Sequence, residues 1–474
     1  MTDLDLAPVG HAGWDTQALR RSATDSLLLH FSDQSARDLL VLTAGEGPYV
    51  IDSDGNRYID ALSSLFCSQL GYSYGEEFAE VITRQLATLP FNTNWNTAHP
   101  PAIELAERIR DLAPDDYKVF FTGGGSEAVE TGWKLVREHF IARGEPQRTK
   151  AIARSTAYHG VTLGALSFTG VQGFKNGFGT PPVDVVHVSN TNSFRALDEA
   201  DPDAQCARLL QEVEESIHAA GPDQVALIIA EPVQNSGGCF TPPPGYWAGL
   251  RRLADQYGAL LMADEVITGF GRIGEWFAIT REGVVPDLIS VAKGLTSAYA
   301  PMGALLAGPR LLEPIRTAGN VVRHGITFGG HPLSAVVGLK CIEIMERDRV
   351  LENVRTLAPH LRDRLGGLLD LPLVGDVRGA GFFWAMELVG NDDNARLDRA
   401  QRDRLLRGYL PRRLREAGLI ARCDDRGDAV LQIAPPLISD AALLDEVVDR
   451  LRDVLTDAWE HVVAPTSIEK GSTR

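Results

Sequence analysis

At 474 residues the chain is too long for one hydrophobic core, so two or more domains are expected; 44% apolar and 23% charged residues are the balance of a soluble globular protein. A net charge of −17 argues against nucleic acid or an anionic membrane as partner. No apolar run reaches the ~18–20 residues of a membrane span, and the acidic start MTDLDLAPVG lacks a basic-then-apolar leader, so a cytoplasmic location is expected.

Residues 1–45 read as an irregular arm with one short helix, and YVIDSDGNRYID (49–60) as a hairpin turning at Asp54-Gly55. From 76 to 330 helices and strands alternate. A helix over 101–113 leads to a strand at 118–121 and a helix over 126–143. Short apolar runs recur at 150–153, 183–188, 225–230, 259–263, 288–292 and 303–307. Such alternation predicts an α/β fold with a doubly wound, mostly parallel sheet. Beyond Pro332 come helices over 333–347 and 349–368, a strand over 380–388, a helix over 399–417, a strand over 429–433 and a helix over 440–458, read as a smaller α+β unit. The expected division is an N-terminal segment (1–75) packing with the small domain, a large domain (76–331), a small domain (332–464) and a disordered tail (465–474). The five cysteines, Cys67, Cys206, Cys239, Cys341 and Cys423, are dispersed and form no CxxC; the eleven histidines form no HExxH. Neither a disulfide framework nor a metal site is expected.

Two of the apolar runs end in charge: ALLMADEV (259–266) in Asp264, and LISVAKG (288–294) in Lys293. Each reads as a buried strand of a parallel sheet, and ligands of open α/β sheets sit at the carboxyl ends of the strands. A lysine for an aldehyde and an acid for a ring nitrogen suit pyridoxal phosphate (PLP). Only seven of the 46 basic residues are lysines, and arginine cannot serve as the amine. Read alone, Lys293 is more often an exposed strand end; Gly294 after it leaves room for a bulky group, and burial moves the amine towards neutrality. Asp264 alone reads equally as a cap or ion pair, and Val266 as core.

TGGGSEA (122–128) follows a strand and opens a helix. Its glycines, the helix N-terminus and Ser126 can cup a phosphate, although such turns are more often merely tight. Tyr158 can stack on a flat ring or pack near the core; Glu231 is a ring-side acceptor or a strand-end charge.

Together the stretches TGGGSEAVETGWK, AYHG, AEPVQNSGGCFTPPPGYW, ADEVITGFGRIG, VAKGLTSAYAPMGALL and HGITFGGHP resemble the class III (ω-type) PLP-dependent aminotransferases of fold type I, spanning residues 49–436 in order. The resemblance implies that Lys293 forms the internal aldimine and shuttles a proton. It also implies that Asp264 pairs with the ring nitrogen, that Gly125 and Ser126 bind the phosphate, that Tyr158 and Val266 flank the ring, and that Glu231 lies near its hydroxyl side. Thr327 would reach the phosphate of a second subunit, making a homodimer necessary; alone, it is a polar loop residue.

Gly418–Arg422 ahead of Pro435-Pro436 resembles the amine:pyruvate branch, in which an arginine at the Arg422 position swings in to meet a substrate carboxylate. Without the family, Arg422 is a surface arginine. Ornithine- and GABA-type members carry Gln where Ile267 stands and Glu where Ser236 stands. Phe66 and Trp95 match positions lining the substrate pocket and suggest an apolar or extended donor. Two departures are Phe328-Gly329 within FGGHP and the charged stretch Cys423–Arg426 beside Arg422. The expected activity is a ping-pong transfer from an amine or ω-amino acid to a keto acid, pyruvate before 2-oxoglutarate. The competing readings are an aminomutase or decarboxylase on the same fold and a non-catalytic PLP-binding regulator. The regulator would need an attached DNA-binding module, for which the 45-residue arm is too short.

Overall fold

Asp52 organises the turn at Asp54-Gly55. Its carboxylate accepts from the backbone N–H of Asp54 (2.9 Å) and of Asn56 (2.8 Å) and from the Tyr58 hydroxyl (2.8 Å), and Gly55 supplies φ 84°. This closes the expected hairpin between β2 (Tyr49–Asp52) and β3 (Arg57–Asp60), with β1 (Leu42–Glu46) added on the outer side of β2. The structure is a computed structural model describing residues 15–32, 39–196, 201–390 and 394–463; the expected tail at 465–474 lies outside them.

Seven strands form the central sheet: β4 (Lys118–Thr122), β5 (Lys150–Arg154), β6 (Asp184–Val188), β7 (Val225–Ala230), β8 (Leu260–Asp264), β9 (Leu288–Val291) and β10 (Gly303–Ala307), in the order β4-β10-β9-β8-β7-β5-β6. The run β9-β8-β7-β5-β6 is parallel throughout, and β10 is antiparallel to both β9 and β4. Alternate residues face opposite layers, as strand geometry requires. Leu261 and Ala263 pack with Trp247, Leu250 and Leu253 of helix Tyr246–Tyr257, whereas Leu260 and Met262 pack with Val129, Val136 and Phe140 of helix Gly125–Ala142. Covered on both faces, β8 and β9 hold only buried residues, which is why they read as unbroken apolar runs.

The C-terminal part holds β11 (Val374–Ala380), β12 (Phe383–Leu388), β13 (Leu419–Ile420), β14 (Arg422–Asp424) and β15 (Val430–Ile433). Four of them form the sheet β11-β12-β15-β14, while β13 leaves to pair in parallel with β3, tying the N-terminal segment to the C-terminal part. The single strand expected over 380–388 is a hairpin. Gly381 (φ 55°) turns the chain, and β11, whose sequence VGDVRGA is broken by glycine and charge, is the missed partner. The helix expected over 399–417 is interrupted by a π-helical stretch, Asp403–Tyr409. No described helix is long and apolar enough to cross a membrane.

Candidate active site

Parallel register sets Asp264, the last residue of β8, beside Ser290 of β9, and Lys293 follows three residues later. Lys293 has φ 40°, a conformation costly for a side-chain-bearing residue and typical of strained functional positions. Gly294 makes room, but not for a ligand: a Cβ there would lie 2.4 Å from the amide of Gln69, which is fully buried. The glycine is required by packing, which corrects the expectation drawn for it. Lys293 is half-buried and opens into a cavity of about 420 Å³. Removal from water pushes its amine below the usual lysine range, against the pull of Cys67, Asp264 and Glu231.

Asp264 is buried at 4% exposure and held by three donors. The Ser290 hydroxyl (2.9 Å) and the Val266 N–H (3.1 Å) donate to Oδ1, and His159 Nδ1 donates to Oδ2 at 2.7 Å. His159 was not singled out from the sequence; one histidine in a loop has no periodicity to betray it. It is buried, lines the same cavity, and its Nε2 has no partner. Glu231, also buried, accepts from the N–H groups of Tyr158 (3.2 Å) and Asn235 (3.0 Å); burial pushes its carboxyl above the usual range.

Across the cavity stands the turn between β4 and helix Gly125–Ala142. Gly123, Gly124, Gly125 and Ser126 all line it, and the first-turn N–H groups of that helix have no intrahelical acceptor. A Cβ on Gly125 would come within 2.9 Å of Val266, so glycine lets the loop close onto β8's extension; a Cβ on Gly160 would meet the Ser126 hydroxyl at 2.3 Å. Tyr158 and Val266 complete the walls.

A second cavity of about 700 Å³ adjoins the first, sharing Lys293, Tyr158 and Ile267. Phe66, buried and at φ 63°, lines it, with the Arg422 guanidinium 5.7 Å from the Phe66 ring centroid. Burial, reinforced by Arg426, pushes the Arg422 group down to about 10. Two expected residues lie elsewhere in the single chain. Trp95 is 63% exposed and lines a separate cavity with His324, Gly325 and Ile326, and Thr327 is exposed next to it in sequence.

An amine nucleophile serves several kinds of chemistry. The same cavity also holds a carboxylate fixed by three donors and a glycine-lined helix start suited to a phosphate, with the orphaned His159 nitrogen in its wall. That donor set fits PLP, and the parallel sheet beneath it is that of PLP-dependent enzymes of fold type I. The chain belongs to the class-III aminotransferases, whose family model matches residues 31–455, and its cofactor is PLP. It is 46% identical over 443 residues to a probable aminotransferase of Mycobacterium tuberculosis, covering 93% of this chain and 95% of that one. It is 37% identical over 455 residues to a putrescine–pyruvate aminotransferase of Pseudomonas aeruginosa, covering 94% and 97%. Among solved structures, an ω-transaminase from Pseudomonas jessenii in complex with PMP superposes with a TM-score of 0.88 at 35% identity, covering 94% of this chain and 99% of that one.

Proposed function

We propose that the protein is a ping-pong aminotransferase that takes an amino group from an amine or ω-amino acid and passes it to a keto acid, pyruvate in preference to 2-oxoglutarate. The observation that carries this reading is the pair of adjoining cavities that share Lys293: one suited to the cofactor, the other lined by Phe66 and Arg422. Arg422 lies where the second cavity offers a guanidinium to one carboxylate, and its neighbour Arg426 is already held by Asp424. A guanidinium beside the Phe66 ring suits a keto acid with a single carboxylate. The Pseudomonas aeruginosa putrescine–pyruvate aminotransferase, a relative named for both, supports the amine donor and this acceptor.

Bound PLP supplies an aldehyde that captures the amine and a ring that accepts an electron pair when the substrate C–H bond breaks. In this reading Lys293 Nζ, pushed by burial below the usual lysine range, would take the proton from the substrate carbon and give it back to complete the transfer. Asp264, oriented by His159, Ser290 and the Val266 N–H, keeps a proton on the ring nitrogen. Gly125, Ser126 and the helix start hold the phosphate. Tyr158 and Val266 would flank the ring, and Glu231 would accept from its hydroxyl side. Arg422 turns to the keto-acid carboxylate, and Phe66 packs against the donor.

Trp95 and Thr327 belong to this site in a homodimer. The exposed apolar side chains of Trp95 and Val321 line one surface cavity with Gly325 and Ile326, and exposed Phe328 follows Thr327 in the chain, a patch suited to a second copy of the chain that would bring Thr327 to the partner's phosphate. The large and small domains, 76–331 and 332–464, meet at this site in the same reading. A reducing cytoplasm suits five cysteines that are all free.

Acceptor preference is tested by kcat/KM for pyruvate and for 2-oxoglutarate with a common amine donor. A ratio favouring pyruvate is expected; a ratio favouring 2-oxoglutarate overturns the preference, and intersecting rather than parallel double-reciprocal lines overturn the ping-pong order.

A further inference from the structure

The stretch Cys423–Arg426 builds a charge cluster on the wall of the second cavity. β14 pairs antiparallel with β15 through Arg422↔Gln432 and Asp424↔Val430, so Arg422 and Asp424, two residues apart, project to the same side. Asp424 is 4% exposed. The chain then folds back so that Arg426 grips it. The Arg426 N–H donates to Asp424 Oδ1 at 2.9 Å, its Nε lies 2.9 Å from each carboxylate oxygen, and a terminal guanidinium nitrogen donates to Oδ2. Arg422 reaches the same carboxylate less closely, with Nε 3.7 Å from Oδ2, too far for a hydrogen bond but within ion-pair range. The Arg426 guanidinium carbon stands 5.7 Å from the centroid of the Tyr158 ring, which lines both cavities. Two cations therefore share one buried anion, and the cation next to Phe66 has the weaker share.

We infer that Asp424 is the resident counter-ion of Arg422 and that Arg426, by holding Asp424 back, sets how strongly the second cavity prefers carboxylate-bearing over apolar substrates. With an apolar substrate, Asp424 keeps the charge of Arg422 balanced in a site poor in water. With a carboxylate-bearing substrate, Arg422 exchanges Asp424 for the ligand at small cost, because Arg426 already satisfies Asp424. Asp424 and Arg426 are thus positioning and specificity residues acting through Arg422. The inference rests on the aminotransferase reading above and assigns its donor and acceptor range to three named side chains.

The two outer residues act in opposite directions, which a merely structural role does not. Asp424→Asn leaves Arg422 without a counter-ion, so carboxylates bind more tightly and apolar ligands less well. Arg426→Gln frees Asp424 to close on Arg422, so carboxylates bind more weakly. The test uses the PLP-loaded enzyme and two readouts. One is the dissociation constant of propionate, a non-reacting carboxylate, followed by the perturbation of the cofactor's visible absorbance. The other is the ratio of KM for pyruvate to KM for propanal, an acceptor without a carboxylate. Relative to wild type, Asp424→Asn is expected to tighten propionate and lower the ratio by about tenfold, the equivalent of ~1.4 kcal/mol, with Arg426→Gln shifting both the other way and Asp424→Glu restoring wild-type behaviour. Shifts of the same sign in the two variants, or less than about twofold in both, overturn the inference. If Asp424→Asn loses its cofactor absorbance, the direction found for Arg426→Gln decides alone. Propionate binding needs no turnover, so a failure of the proposed acceptor chemistry is distinguishable from a failure of the cluster.

Discussion

Replacing His159 by leucine isolates the least expected contact of the site. His159 Nδ1 is the sole protein donor to Oδ2 of Asp264 among the hydrogen bonds described, at 2.7 Å, while Oδ1 keeps Ser290 and the Val266 N–H. A hydrogen bond to a buried charged group contributes about 1.5–3 kcal/mol, and every 1.4 kcal/mol is tenfold. If that bond serves to hold Asp264 against the cofactor, its loss slows the amine half-reaction by about 10- to 100-fold. The fold loses about 1–3 kcal/mol as well, because Oδ2 is left buried without its donor, a small change in melting temperature for a chain of this length. His159 Nε2 is buried without a partner, so the apolar replacement also removes an unsatisfied nitrogen. The assay is stopped-flow loss of the cofactor's visible absorbance on mixing with an amine, alongside cofactor occupancy and a thermal melt. A slowdown of less than about threefold at full occupancy refutes the assigned role, and a large loss of melting temperature shows that the contact serves folding instead.

Gly294→Ala forces a Cβ to 2.4 Å from the buried Gln69 amide, an overpacking expected to cost about 1–3 kcal/mol in a urea titration; unchanged stability contradicts the packing argument. Burial pushes the Glu265 carboxyl up to about 7, so between about pH 4.5 and 7 the folded protein keeps a proton that the unfolded chain has released, and stability falls as pH rises across that window. Glu265→Gln loses an acceptor for the N–H of Ala278 or Ile279 and is less stable overall, but its stability changes less steeply over the same window; equal slopes contradict the assignment. Val321→Asp places a charge in the exposed apolar patch around Trp95 and is expected to yield monomers in analytical ultracentrifugation with weakened cofactor retention, whereas an unaltered sedimentation coefficient contradicts the dimer reading.

The centre of the site was legible because it lies at the ends of strands covered on both faces. β8 and β9 are apolar to their last residues, so Asp264 and Lys293 stand out in the sequence. The glycine turn was legible for a similar reason, lying between a strand and a helix. What was not legible depends on residues far apart in the chain. Gly294 gave no hint that Gln69 fills the space beside it, and His159 meets Asp264 only because the loop after β5 folds over the end of β8. β11 was missed because glycine and charge interrupt it, and β13 and β14 are too short to carry an alternation. Arg426 read only as the end of a charged stretch beside Arg422; the fold turns it inward onto Asp424. Trp95 and Thr327 remain at the surface of one chain, where no pattern within that chain can set them against a second.

In the proposed function, Lys293 is the amine that works between the two cavities. Its most direct test mixes the PLP-loaded protein with a panel of amines and ω-amino acids in the absence of any keto acid. The wild-type protein is expected to lose its visible absorbance while releasing one carbonyl product per site, and to regain the absorbance when pyruvate is added; Lys293→Ala is expected to do neither. Carbonyl release by Lys293→Ala at the wild-type rate, or none by the wild type across the whole panel, contradicts the account.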